Sequence, residues 1–185
     1  MKLETLLAGI MLASTVQMAQ AADSEHYVAL SYDFNDGVGV ANEVGMDVST
    51  DEKDEGFTLT YGYQFEERFA VEVFYTDAGS FSASGEDFER SLDVSGYGVG
   101  FKFDFIRDHM YKVYGKLGYG RYELDQSSTP LGMSDSASEN ESDYFYGVGG
   151  EYVLTPELNI RGEYYQVEVG PGDYNSIKIG LVYGF

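Results

Sequence analysis

The feature that most constrains this chain is an alternation of large apolar residues with small or polar ones. Over 57–65 the odd positions are Phe57, Leu59, Tyr61, Tyr63 and Phe65, and the even ones are Thr58, Thr60, Gly62 and Gln64. Over 177–185, Ile177, Ile179, Leu181, Tyr183 and Phe185 are separated by Lys178, Gly180, Val182 and Gly184. A repeat of two puts one set of side chains on one face of an extended strand. The pattern recurs at 27–35, 68–77, 94–105, 111–122, 144–154 and 158–168, with Gly115 and Gly162 interrupting the apolar faces of the fifth and seventh segments. The result is eight strands of roughly 9–12 residues, long for a globular sheet and matched to a tilted bilayer crossing.

The connections alternate in length. Short turns are expected near Glu66-Glu67, Arg107-Asp108-His109 and Thr155-Pro156-Glu157, and long loops over 36–55, 78–93 and 123–143, with a shorter one at 170–174. The three prolines, Pro130, Pro156 and Pro171, then fall in connections, where no ladder hydrogen bond is lost. The predicted fold is all-β: an eight-stranded antiparallel up-and-down transmembrane barrel.

The polar face decides which side of the barrel is apolar. A soluble lipocalin-type barrel, or a β-sandwich, turns its apolar face inward, whereas a membrane barrel turns it to lipid. Here the polar face carries glycine rows (Gly96, Gly98, Gly100; Gly118, Gly120; Gly147, Gly149) beside long charged residues. Eight strands enclose a space only wide enough for packed side chains, and small residues next to long ones fill it. The same face holds Asp33, Glu72, Lys102, Asp104, Lys116, Glu151, Arg161, Glu163 and Lys178, four basic against five acidic groups. Such near balance is what burial of charge demands. Of these, Glu72, Lys102, Lys116, Glu151, Arg161, Glu163 and Lys178 are the expected interior network, a structural plug rather than a pore lining.

Charge outside the strands is different. The chain of 185 residues has 32 acidic and 11 basic side chains, a formal charge of −21, and the excess lies in the expected loops. That excludes nucleic acid as a partner, since phosphate binding needs a basic surface. With no cysteine there is no disulfide, thiolate metal site or lipid-anchored thiol. The stretch Asp47, Asp51, Glu52, Asp54 and Glu55 offers oxygen ligands for a divalent cation but lacks EF-hand spacing, and a solvated, self-repelling loop is the better explanation. Neither a resident metal nor a cofactor is expected.

Residues 1–21 lie outside this pattern. Lys2, an apolar run from Leu6 to Val16 and Ala19-Gln20-Ala21 read as a Sec signal peptide cleaved after Ala21, leaving 22–185 as one barrel domain. The run is too short for a spanning helix.

The ending Leu181, Tyr183, Phe185 resembles the terminal signal that the assembly machinery of bacterial outer-membrane barrels reads. Segments 70–77 and 146–158, with Arg161-Gly162-Glu163-Tyr164, are similar to the OmpA/OmpX-type eight-stranded family. The resemblance implies a monomer in the cell outer membrane, with termini and short turns in the periplasm and long loops outside. It implies outer-membrane lipid, lipopolysaccharide, periplasmic chaperones and the barrel assembly machinery as partners. The function expected is structural or surface-interactive. The alternative is a small, low-conductance or solute-translocating channel. A lipid A-modifying enzyme comes third, because a Ser–His mechanism needs a base at the outer boundary. The only histidines, His26 and His109, fall at the periplasmic end, so no enzyme activity is expected.

Overall fold

The computed structural model describes residues 25–36, 54–85, 88–130, 135–169 and 172–185. Eight strands follow one another: β1 (His26–Asp36), β2 (Asp54–Glu66), β3 (Phe69–Gly85), β4 (Phe88–Arg107), β5 (Tyr111–Pro130), β6 (Asp135–Val153), β7 (Leu158–Val169) and β8 (Gly172–Gly184). Each pairs antiparallel with its neighbours, and β8 returns to β1 to close the barrel. Closure gives every spanning N–H and C=O a partner, the condition for backbone to cross hydrocarbon.

The apolar face points outward. Leu30, Phe101, Leu117, Tyr146, Ile177 and Leu181 are all more than half exposed, and Leu117 reaches 65%. The inward face is buried and mixed: Asp33, Glu72, Arg161 and Lys178 lie beside Tyr114, Tyr122, Phe145 and Val167.

Six large rings point into the lumen, and each sits across its ladder from a glycine: Tyr27 from Gly62, Phe74 from Gly98, Tyr122 from Gly96, Tyr114 from Gly149, Phe145 from Gly118, and Tyr165 from Gly147. The rings lie down over bare backbone. A Cβ added at Gly98 would sit 2.7 Å from the Phe74 ring, and one at Gly149 would sit 2.6 Å from that of Tyr114. The glycine rows are thus the floor on which the filling rests, as in aromatic rescue of strand glycines.

Two of the expected long loops are largely strand. The segments 78–93 and 123–143 continue the β3–β4 and β5–β6 ladders, up to the pairs Gly85–Phe88 and Ser128–Asp135. Apolar alternation ends where lipid ends, but ladder hydrogen bonds do not need it, so these strands outrun the apolar signal. β4 and β5, at 20 residues each, are about twice what a crossing requires. Pro130 closes β5, opposite Phe88, at a strand end where its missing N–H breaks no internal ladder. Asp54 and Glu55 likewise belong to β2, opposite Asn35 and Phe34. The expected signal peptide, the acidic positions Asp47, Asp51 and Glu52, and Pro171 lie outside the described residues.

Bulges interrupt three ladders, between Gln64 and Glu66, Asp77 and Ser80, and Asp104 and Ile106. At the second, Gly79 takes a φ of 85°, a left-handed conformation that costs a residue with a Cβ. At the third, Phe105 and Ile106 both face outward, and the parity beyond them is reversed.

Candidate functional site

The lumen is the candidate site, and it has two storeys. Nearest the short turns is an ionic network. Arg161, on β7, donates from Nη1 to Glu72 Oε1 (2.9 Å) and from Nη2 and Nε to Glu151 Oε1 (2.8 and 3.1 Å). Lys116 lies between Glu72 and Glu163, 2.6 and 2.7 Å from their oxygens. Lys102 donates to Glu151 at 2.9 Å and stands 3.4 Å from Asp104. The hydroxyls of Tyr27 and Tyr114 donate to Glu72 (2.6 Å) and Glu163 (2.8 Å), and the Arg161 guanidinium lies 5.5 and 5.4 Å from the centres of their rings. Glu72 and Glu151 are thereby shared between cations, and Glu163 between Lys116 and the Tyr114 hydroxyl, the arrangement that offsets desolvation of buried ions.

A smaller cluster stands nearer the long-strand end. Lys178 donates to Asp33 Oδ2 (2.9 Å) and Thr58 Oγ1 (2.6 Å), and Thr58 donates to the same Asp33 oxygen. The ammonium also sits 4.5 Å over the Tyr165 ring, a cation–π contact in a dry setting. Between the two clusters is a cavity of about 10 Å³, room for one water molecule, lined by Thr58, Thr60, Lys116, Glu163 and Lys178 among others.

The second storey is apolar. Ala78, Val94, Tyr122, Phe145, Tyr165 and Val167 form one buried cluster, with Phe74 packed against it. Phe74 meets Phe145 edge-on at 5.2 Å, and Phe145 stacks on Tyr165 at 5.1 Å. The hydroxyls of Tyr122 and Tyr165 bond to each other.

All seven of the network residues expected from sequence face the lumen and are ion-paired; Lys178 stands apart from the other six, with Asp33. Two members were not foreseen. Lys112 lies 3.7 Å from Glu151, and Arg107 lies 3.4 Å from Asp104 and donates to the Glu67 carbonyl. Lys112 has the inward parity of Tyr114 and Lys116, a signal present in the sequence. Arg107 turns inward only because the bulge before it reverses parity. The rings of the second storey were not foreseen either: there Phe74, Tyr122, Phe145 and Tyr165 face inward, each opposite a glycine of the neighbouring strand.

His26 and His109 both lie at the short-turn end. The His26 ring nitrogen Nδ1 is 2.7 Å from the Tyr61 hydroxyl, and the ring stacks with Phe185 at 6.1 Å; His109 sits 2.6 Å from Asp108. The Phe185 N–H donates to the His26 carbonyl (2.9 Å), and Leu181 and Tyr183 pair with Leu30 and Val28 across the closing seam. Among the described residues no group of three or more His, Asp or Glu side chains is placed to hold a metal ion.

Against known proteins, the model of the outer membrane protein beta-barrel domain matches residues 5–185. The chain belongs to that family. Its place is accordingly the cell outer membrane. No curated protein matches in sequence. Solved outer-membrane barrels share the fold. The attachment invasion locus protein Ail of Yersinia pestis is 21% identical with a TM-score of 0.62, covering 88% of this chain and 99% of that one. Neisserial surface protein A is 16% identical with a TM-score of 0.61, over 88% and 98%. The N-terminal barrel of Pseudomonas aeruginosa OprF is 9% identical with a TM-score of 0.59, over 88% and 100%. Ail has also been solved with the heparin analogue sucrose octasulfate.

Proposed function

We propose that this family member is a non-enzymatic, ion-impermeant barrel that anchors an acidic β-structure outside the cell, where it acts by surface contact. The observation that carries this reading is the filling of the lumen by the described residues: paired charges and stacked rings, with a cavity of about 10 Å³ between the charge clusters. A channel or solute carrier needs a continuous path, which that filling among the described residues opposes. The short turns face the periplasm, as in barrels of this kind, so the β3–β6 ladders project outward. The segments 77–95 and 121–143 carry eleven acidic residues against Arg90 and Arg121. Such a surface attracts cationic partners and repels polyanions. On this reading the chain differs from Ail and does not take up a heparin-like ligand.

The remaining roles follow from the same placement. Residues 1–21 direct export, and 22–185 fold as a monomer. Periplasmic chaperones carry the chain to the assembly machinery, which reads Leu181, Tyr183 and Phe185. Outer-membrane lipid surrounds the apolar belt. Divalent cations at the acidic rim, including those met by Asp47, Asp51, Glu52, Asp54 and Glu55, bridge it to lipopolysaccharide phosphates.

Purified protein in lipid nanodiscs, titrated with polylysine and with heparin, tests the surface reading. Salt-sensitive polylysine binding and no heparin binding are expected. Heparin binding of equal strength would overturn it. Planar-bilayer recordings test impermeance, with steady porin-sized openings as the contrary result.

A further inference from the structure

We propose that the barrier to ions is the ring storey at the outer end of the lumen, and not the ionic network beneath it; the inference rests on the impermeant reading above. The two storeys differ in what they offer a hydrated ion. In the network the central cations each have a second carboxylate. Arg161 spans Glu72 and Glu151, and Lys116 spans Glu72 and Glu163, so a cation or a water can replace one contact while the others hold. The mouth at the short turns is already wetted, since the side chains of Lys112 and Arg107 keep 18% and 19% of their surface exposed.

The ring storey offers no such exchange. Phe74 and Phe145 have no polar atom, and the hydroxyls of Tyr122 and Tyr165 are turned on each other. The rings stand over glycine backbone and leave no gap against the β4 wall: a Cβ at Gly98 would lie 2.7 Å from Phe74, and one at Gly100 would lie 2.7 Å from Phe145. On the β1 side the buried Lys178–Asp33–Thr58 cluster stands against the Tyr165 ring, and beyond it the Asn35 amide crosses to the Ala78 carbonyl on β3 at 2.8 Å. An ion would have to shed its water against the rings or break a buried pair that has no second cation in the cluster, and apolar constrictions of this kind block by dewetting.

The test compares two sets of variants in planar bilayers. Phe145→Ala with Tyr165→Ala empties the ring storey. Lys102→Met with Glu151→Met removes a charge pair and leaves the rings. Heat-modifiable gel migration reports whether each is folded. Resolved single-channel openings are expected from the ring variant, and none from the unaltered chain or the charge variant. Openings from the charge variant, or silence from a folded ring variant, overturn the proposal. Openings from the unaltered chain would sink the impermeant reading itself, a separable outcome.

A second measurement covers loss of folding. The chain has no cysteine, so Thr60→Cys, in the cavity shared with Lys116 and Glu163 on the network side of the rings, is a clean reporter. A membrane-impermeant thiol reagent added to intact cells is expected to leave it unlabelled, and to label it when the milder Asn35→Ala removes the crossbar. Labelling without that change, or none with it, counts against the ring seal.

Discussion

Replacing Lys178 by Met gives the sharpest test of the energetics. Asp33 is fully buried; among the described residues Lys178, at 2.9 Å, is the cation paired with its carboxylate, and the hydroxyls of Thr58 and Thr76 give it further support. Its Oδ1 has no hydrogen-bond partner even with the lysine present. Methionine preserves the stem and deletes the charge, stranding a carboxylate inside the barrel. Breaking a buried pair from one side costs about 3–5 kcal/mol, and the scarcity of other partners puts this site at the upper end. Lys112→Met is the control. Lys112 is partly exposed and 3.7 Å from Glu151, which keeps Lys102, Arg161 and Asn159, so its loss costs below about 1 kcal/mol. Adding Asp33→Asn to Lys178→Met removes the stranded charge and recovers most of the loss. Urea unfolding in detergent micelles measures all four proteins, followed by circular dichroism and gel migration because the chain has no tryptophan. Equal destabilisation by Lys178→Met and Lys112→Met, or no recovery in the double variant, would refute the account of a dry, sparsely compensated pair.

Three further outcomes follow from the geometry. Gly100→Val forces a branched side chain against Phe145 and costs about 1–3 kcal/mol, whereas Gly162→Val, with nothing within 4 Å of its Cβ, changes stability by less than about 1 kcal/mol; paired urea titrations separate them. Leu117→Arg places a charge on the most lipid-exposed part of β5 and destabilises the barrel by about 2–4 kcal/mol in bilayers, read from vesicle refolding equilibria. Phe185→Ala lowers the amount of folded protein reaching the outer membrane while purified chain still refolds in detergent, which immunoblots of membrane fractions and gel migration report together.

Much of this architecture was legible before any coordinates, because parity along a strand is local. Phe57 to Phe65 alternate with Thr, Gly and Gln whatever the rest of the chain does, and that fixes strands, their lipid face and the inward set from Glu72 to Lys178. The glycine rows were legible as a tight interior, and Lys112 was readable by the same parity. The extent of β3 to β6 was not, because beyond the lipid the ladder persists without apolar alternation.

Register and closure decided the rest. A bulge inserts one residue and reverses everything after it, so Arg107 joins the lumen through an irregularity that no residue pattern announces. Phe145 meets Gly118, and Phe74 meets Gly98, only once neighbouring strands are aligned. Asp33 finds Lys178 across 145 positions of chain only when the last strand returns to the first. Alternation tells each residue which way to face, whereas the partner it faces is chosen by strands remote in sequence, and the division of the lumen into a charged storey and a ring storey exists only at that level.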